Sequence, residues 1–241
     1  MARVRKAGRA GRAVVAVAVA ALLGGAVAGC GGGGADADPD AAFAVRTSPF
    51  ADRLAKLPAR VEGGTVVVGA TDAPHTVRVL VDPHCGYCAK FERTGGEALL
   101  KLAGDGGLKV EYVLASFLDE RGSGSGIAVN ALRASVDEGK FAEYQAALFA
   151  SQPKGRFTDE LLLRIADGVP GLRGAGEFDN AVAEQTYKAW VGEAAEAFRA
   201  TGARGTPQVL LDGKPLPARA AGSIFDGAAL AAALKEAGVG G

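Results

Sequence analysis

Apolar residues in the first half of the chain follow two different periods in succession. The segment "HTVRVLVD" (His75–Asp82) is continuous and β-branched, as in a strand buried on both faces. The following segment, Cys88–Gly104, has apolar residues at helical spacing, with a kink predicted at Gly95–Gly96. A second strand is predicted at Leu108–Ser116. The pattern therefore predicts strand, helix and strand, with a helix that begins at or just before Cys85.

Helical periodicity dominates the second half of the chain. Residues 127–151, 157–169 and 178–202 carry apolar residues at helical spacing, and Thr158 is a predicted N-cap. A β-rich "QVLL" then leads into a predicted hairpin turn at Asp212–Gly213, and "FDGAALAAALKEAG" predicts a closing helix. The large apolar residues of the helical part are predicted to be core or interface residues: Phe141, Tyr144, Leu148, Phe149, Trp190 and Phe198.

Composition and charge bound the classes of function. The chain has 241 residues, 49% of them hydrophobic, which is enough for one well-buried core. Its 27 basic and 27 acidic side chains balance, and it has two histidines. We therefore expect no nucleic-acid partner.

The N-terminus has the layout of an export signal, which places residues 1–29 outside the folded domain. Basic residues precede an apolar run from Ala13, which ends in small residues at Cys30. The run is short for a lasting membrane helix, which needs roughly 20 strongly apolar residues. The string "VAGC" (Val27–Cys30) resembles the bacterial lipobox, and this resemblance implies lipid attachment at Cys30. A plain secretory signal with an incidental cysteine is the alternative.

The segment after Cys30 is rich in Gly, Asp and Pro and has no apolar periodicity. We predict that residues 30–60 contain the lipidated cysteine and a flexible tether. The protein is then extracytoplasmic and bound to the membrane only through its lipid. A secreted protein is the alternative.

The other two cysteines, Cys85 and Cys88, form a CxxC pair. A structural disulfide would close too small a loop to stabilise the fold much. A structural zinc site needs four donors, and His84 is accompanied by no second CxxC or HxxxH. Covalent haem requires a histidine where Ala89 stands. We therefore favour a redox pair and expect neither a metal nor a cofactor.

The position of the pair assigns a role to each sulfur. A thiol at a helix N-terminus meets unpaired N–H groups and the positive end of the helix dipole, which stabilise its thiolate. Cys85 is therefore the predicted attacking sulfur. Cys88, about one turn inside the helix, would be shielded and would resolve a mixed disulfide.

A second motif, Gly205-Thr206-Pro207, precedes the β-rich "QVLL". A strand, a CxxC at a helix start and a later Thr-Pro step resemble the thioredoxin fold, in which that proline is cis and faces the CxxC. An ordinary trans proline is the alternative. The strings "EGKFAEYQAALF" and "AAEAFRATGARGTP" resemble the DsbA-like thioredoxin-fold oxidoreductases. That resemblance extends from about Val66 to the C-terminus.

The resemblance implies an α/β thioredoxin fold with a helical insertion. Its predicted parts are a thioredoxin-fold segment with the CxxC at 61–118, the insertion at 119–200 and a thioredoxin-fold segment with the cis-proline loop at 201–241. Its implied substrates are the thiols and disulfides of exported proteins. It also implies a quinone-linked membrane partner of the DsbB or vitamin K epoxide reductase type. We expect a monomer.

The dipeptide Gly86-Tyr87 departs from the family, which commonly has proline after the first cysteine. "CGYC" is similar to the isomerase DsbC, and Thr206 also fits that branch. Tyr87 adds no positive charge and His84 lies outside the pair, so we expect a moderately oxidising couple. Isomerase, reductase and a non-enzymatic binding protein are the alternatives. Isomerases of the DsbC type need an N-terminal dimerisation domain, for which we find no segment.

Two carboxylate positions bear on proton transfer. Many thioredoxin-fold enzymes bury a carboxylate six residues before the first cysteine, where this chain has Val79. The proton acceptor for Cys88 is therefore unassigned. Asp82 is predicted to cap the helix.

Overall fold

A computed structural model describes residues 44–174 and 176–239. Its six strands form one mixed sheet in the order β1-β2-β4-β3-β5-β6. The strands are β1 (Ala59–Glu62), β2 (Thr65–Val68), β3 (Thr76–Val81), β4 (Lys109–Leu114), β5 (Gln208–Leu211) and β6 (Lys214–Pro215). Strands β3 and β4 are parallel, and every other neighbouring pair is antiparallel.

Strand β3 is buried on both faces of the sheet, as its continuous apolar sequence predicts. Val77, Val79 and Val81 join the main core, whereas Leu80 belongs to a smaller core with Phe198 on the opposite face. Apolar side chains on both faces make this strand the centre of the fold.

One helical run crosses between the two parallel strands. It consists of α2 (Gly86–Phe91), a π-helical turn (Glu92–Gly96) and α3 (Glu97–Gly104). The π-helical turn interrupts the α-helical run at the position where the kink is predicted. At Gly95 the backbone of Ile224 packs so closely that a side chain would collide with its carbonyl oxygen and with the Phe91 ring.

The helical part lies between β4 and β5. A 3₁₀ helix (Phe117–Arg121) is followed by α4 (Ser125–Asp137), α5 (Phe141–Ala150), α6 (Asp159–Asp167), α7 (Glu177–Ala183) and α8 (Lys188–Ala200). Two of the predicted helical stretches are each divided into two helices, because Gly139 and Gln185 adopt positive φ angles. The Thr158 cap is confirmed, since its side chain accepts a hydrogen bond from Leu161 N at 3.2 Å. The six predicted core residues of this part are buried.

The C-terminal segment returns to the sheet. The hairpin turn between β5 and β6 occupies Asp212–Gly213, as predicted. Helices α9 (Ala218–Ala221) and α10 (Gly227–Glu236) follow, and the Asp226 side chain caps α10 by accepting a hydrogen bond from Ala229 N at 3.0 Å.

Residues 44–60 differ from the flexible tether predicted for residues 30–60. They include α1 (Ala51–Leu54), whose Leu54 is buried, and the start of β1. The backbone N–H of Arg46 donates to Ser151 Oγ at 2.7 Å. The buried Leu54 side chain and this hydrogen bond hold the segment on the folded body. The strand predicted to be first is consequently the third, after a β1-β2 hairpin.

The predicted signal peptide and Cys30 lie outside the described residues. Within 44–174 and 176–239, no helix has the length and apolar character needed to cross a membrane.

The close approach at Gly95 generates a prediction about stability. Gly95→Ala would force the Ile224 backbone and the Phe91 ring apart, and overpacking of this kind costs about 1–3 kcal/mol. Denaturant unfolding of the full chain should show that loss. Gly192→Ala is the control, because Gly192 lies within α8 with open space around it. It should stabilise by up to about 1 kcal/mol. Equal stability of Gly95→Ala and the wild type would contradict the packing described.

Candidate active site

Cys85 stands at the junction between β3 and the helical crossover. Its backbone N–H donates to Asp82 O at 3.0 Å, and it is the N-cap residue of α2 with extended backbone angles. The helix therefore begins where the apolar pattern predicts. Cys85 is half-buried, whereas Cys88 is fully buried among apolar core residues, and both are free thiols. The two sulfurs thus differ in access to a substrate.

The Thr206-Pro207 step lies against this junction although it is 121 residues away in sequence. Strand β5 pairs with β3 so that Gln208 faces Leu80. The residues just before Gln208 therefore reach the end of β3, where the cysteine loop starts. The Thr206–Pro207 peptide bond is cis, and Cys85 Sγ lies 3.5 Å from Thr206 O.

The two thiols have strongly separated pKa values. The pKa of Cys85 is lowered to about 5, chiefly by a hydrogen bond from the Cys88 thiol. Smaller contributions come from the Thr206 side chain and from the backbone of Cys88 and Tyr87, whereas burial opposes them. Burial raises the pKa of Cys88, and its hydrogen bond to Cys85 raises it further. At neutral pH the pair therefore holds one half-buried thiolate and one fully buried thiol.

Asp82 does not cap the helix, which corrects the prediction. Its fully buried carboxylate accepts hydrogen bonds from His84 N at 2.9 Å, Ser125 Oγ at 2.6 Å and Leu118 N at 3.2 Å. The side chain turns towards the 3₁₀ helix and α4, away from the first turn of α2. Burial raises the pKa of Asp82 and these hydrogen bonds lower it in part. Asp82 therefore joins the cysteine loop to the helical part of the molecule.

A loop of the helical part contacts the cysteine loop directly. Gln152 Nε2 donates to Pro83 O at 2.7 Å and to Cys85 O at 3.1 Å. The His84 ring contacts Gly155 O through Nε2 and packs edge-on against Phe157. Sequence reasoning missed Gln152 and Ser125, because neither carries a local signal of its role.

Gly86 and Tyr87 form the exposed edge of the site. Gly86 is the first residue of α2, and Tyr87 is 69% exposed. The Tyr87 ring lies 6.4 Å from the Phe225 ring, and Lys90 Nζ lies 4.9 Å from the same phenyl ring. An aromatic surface therefore borders one side of the reactive sulfur.

Beneath the site, the position that often carries a carboxylate is apolar. Val79 is fully buried in the main core. A different carboxylate, that of Glu92, is buried four residues after Cys88, and burial raises its pKa to about 8. Its neighbour Tyr112 is also fully buried. Among the residues that the structure describes, no group of three or more His, Cys, Asp or Glu side chains is placed to hold a metal ion.

A comparison with protein-family models decides the family. The model described as "Thioredoxin" matches residues 61–222, more than half of the chain. The chain belongs to the thioredoxin family. The matched residues include both the CxxC pair and the Thr206-Pro207 loop.

Several solved protein structures share the fold of this thioredoxin-family chain at low sequence identity. The MdbA protein of Corynebacterium matruchotii superposes with a TM-score of 0.59 at 22% identity, covering 70% of this chain and 92% of MdbA. BdbD of Bacillus subtilis superposes with a TM-score of 0.58 at 23% identity, covering 72% of this chain and 90% of BdbD. DsbA of Mycobacterium tuberculosis superposes with a TM-score of 0.56 at 22% identity, covering 71% of this chain and 100% of DsbA. These likenesses show the thioredoxin fold with helical elements, as predicted from sequence.

The curated proteins that are similar in sequence match a shorter region of this chain than the solved structures do. The serine/threonine-protein kinase PknE of Mycobacterium tuberculosis is 31% identical over 98 residues, which is 38% of this chain. The chain spans only 17% of the length of that kinase. The match therefore concerns one part of a much longer protein.

The separated thiol pKa values generate a prediction about pH. In the reduced wild type, the Cys85 thiolate should form with a midpoint near pH 5, measured by thiolate ultraviolet absorbance and by alkylation rate. In Cys88→Ala the hydrogen bond is lost, and the pKa should rise by about 1–2, since hydrogen bonds to charged groups contribute about 1.5–3 kcal/mol. Cys88→Ser keeps a donor and should stay nearer the wild type. An unchanged midpoint in Cys88→Ala would show that Cys88 does not stabilise the thiolate.

Proposed function

We propose that the chain is an extracytoplasmic thiol:disulfide oxidoreductase that forms or exchanges disulfides in exported proteins. The observation that carries this proposal is the pairing of an accessible, low-pKa Cys85 with a buried, high-pKa Cys88 beside Thr206. A binding protein has no need of two thiols with such different acidities. A structural staple has no need of an accessible thiolate.

In the oxidising direction, a substrate thiolate attacks Cys85 Sγ of the Cys85–Cys88 disulfide. The enzyme's S–S bond breaks, a substrate–Cys85 bond forms, and Cys88 leaves and takes up a proton. A second substrate thiolate then attacks the substrate sulfur of this mixed disulfide. The products are a substrate disulfide and a reduced enzyme that holds two electrons, with Cys85 as thiolate and Cys88 as thiol. Of the two substrate protons, Cys88 keeps one and the solvent receives the other.

Thr206 and Pro207 would position the substrate. Thr206 O lies 3.5 Å from the reactive sulfur, and the segment leads directly into β5. An extended substrate segment placed along this backbone could form strand-like hydrogen bonds that hold its cysteine beside Cys85. Specificity would then come from the side chains on either flank. His84 and Tyr87 supply such side chains next to Cys85 in sequence, and Gly86 has open space around it.

The comparisons support this activity. MdbA, which shares the fold, is described as a thiol-disulfide oxidoreductase. The low pKa of Cys85 also favours an oxidising couple of intermediate strength. The corresponding thiols have pKa values of about 7 in thioredoxin and about 3.5 in DsbA. A value of about 5 lies between them. Reductase and isomerase activities would use the same two sulfurs in other directions.

We also propose export and lipid attachment at Cys30, on the strength of the lipobox-like sequence. The lipid would keep a monomeric enzyme close to a quinone-linked membrane partner of the DsbB or vitamin K epoxide reductase type. Labelled fatty acid should enter the wild type and be absent from Cys30→Ala. Equal labelling of both, or none in the wild type, would contradict lipid attachment at this residue.

Trapping of substrates tests the activity. In cells, Cys88→Ala should accumulate disulfide-linked adducts through Cys85, because the sulfur that resolves the mixed disulfide is missing. Non-reducing gels followed by mass spectrometry of the adducts provide the measurement. Cys85→Ala is the matched control and should yield none. If Cys88→Ala forms no adducts while its Cys85 still reacts with an alkylating agent, the proposed activity is wrong.

A further inference from the structure

A cleft of about 530 Å³ opens beside Cys85, between the cysteine loop and two loops of the helical part. His84 and Cys85 form one wall. Three cationic side chains, those of Arg121, Lys154 and Arg156, line the remainder, and none of the described lining residues is acidic. The chain as a whole has no net charge, so this is a local concentration of positive charge.

The cations are available to a ligand. All three are exposed, and within the described part of the chain Arg121 and Lys154 have no ion-pair partner. Arg156 interacts electrostatically with Asp159. Glu120, directly before Arg121, is exposed and does not line the cleft. The carboxylate of Asp119 accepts hydrogen bonds from Ser123 Oγ at 3.2 Å and from Gly126 N at 2.6 Å. Its charge is thus partly compensated within the molecule.

The cationic loops are held in fixed positions relative to the reactive sulfur. Gln152 binds the carbonyls of Pro83 and Cys85, and Gly155, between the two cations, contacts the His84 ring. Phe157 N donates to Ser123 O at 2.9 Å, which ties the second loop to the first. The positive charges are therefore presented to any segment whose cysteine reaches Cys85.

The surface around Tyr87, two residues after Cys85, has a different character. Tyr87 and Phe225 form an aromatic surface there, and neither lines the cleft. A polypeptide whose cysteine reaches Cys85 would therefore meet three cations in the cleft and, outside it, aromatic rings with the single cation of Lys90 beside them.

We propose that the cleft recognises acidic residues close to the reacting cysteine of a polypeptide substrate. This inference rests on the proposed disulfide exchange and adds its substrate class. Each exposed ion pair contributes little in water. Three cations around one cleft attract carboxylates as the complex forms and orient the segment before the sulfurs meet.

The test uses the oxidised full chain and reduced dithiol peptides that differ only in the residues next to their cysteines. Those residues are glutamate, glutamine or lysine. The measured quantity is the second-order rate constant for reduction of the Cys85–Cys88 disulfide, followed by acid quenching and alkylation. Each rate constant is divided by the rate constant for the reaction of the same peptide with a small uncharged disulfide. This normalisation is needed because neighbouring charges alter the pKa of the peptide's own thiols.

The normalised rate of the glutamate peptide should exceed that of the lysine peptide roughly tenfold at low salt, and the ratio should shrink as salt rises. In the variant Arg121→Gln, Lys154→Gln, Arg156→Gln the ratio should fall to within about twofold of one. A control variant, Arg53→Gln, Lys56→Gln, Lys101→Gln, removes the same charge from exposed residues that line a separate cavity. It should keep the wild-type ratio.

The possible results distinguish a failure of the acidic preference from a failure of the proposed disulfide exchange. Equal normalised rates for all three peptides in the wild type would overturn the acidic preference and leave disulfide exchange standing. An equal loss of preference in both triple variants would overturn the assignment to this cleft. If the enzyme oxidises none of the peptides, the proposed exchange activity itself fails and the inference fails with it.

Discussion

A hydrogen bond between two cysteine sulfurs at the start of α2 is the interaction on which the site depends. It stabilises the Cys85 thiolate and keeps the proton on Cys88, which burial has already made a weak acid. The fold has to hold one sulfur half-exposed and the other fully buried within a single turn of helix. The end of β3 places Cys85 at the helix N-terminus, and the core on the same face of the sheet covers Cys88.

The helical part contributes to the site as well as covering the sheet. The buried Asp82 carboxylate binds α4 through Ser125, and Gln152 binds the carbonyl groups of the cysteine loop. These contacts fix the loop that presents Cys85. They also bring cationic residues of the helical part next to the reactive sulfur.

Local patterns predicted the central strand, the helix start at Cys85 and the kink, because each depends on residues close together in sequence. The juxtaposition of Thr206 with Cys85 required a resemblance to a known fold, since 121 residues separate them. The role of Asp82 was mispredicted because its partners at Leu118 and Ser125 are set by tertiary packing. The β1-β2 hairpin was missed although Gly63-Gly64 is a recognisable turn between short strands.

Equilibration of the full chain with glutathione redox buffers tests the central claim most directly. We expect a reversible Cys85–Cys88 couple of intermediate potential. It should lie between about −270 mV, as in thioredoxin, and about −120 mV, as in DsbA. A potential at either limit would contradict the proposal that the Gly86-Tyr87 dipeptide and the Cys85 thiolate give the couple an intermediate reduction potential. The absence of reversible exchange would contradict the assignment of Cys85 and Cys88 as a redox pair.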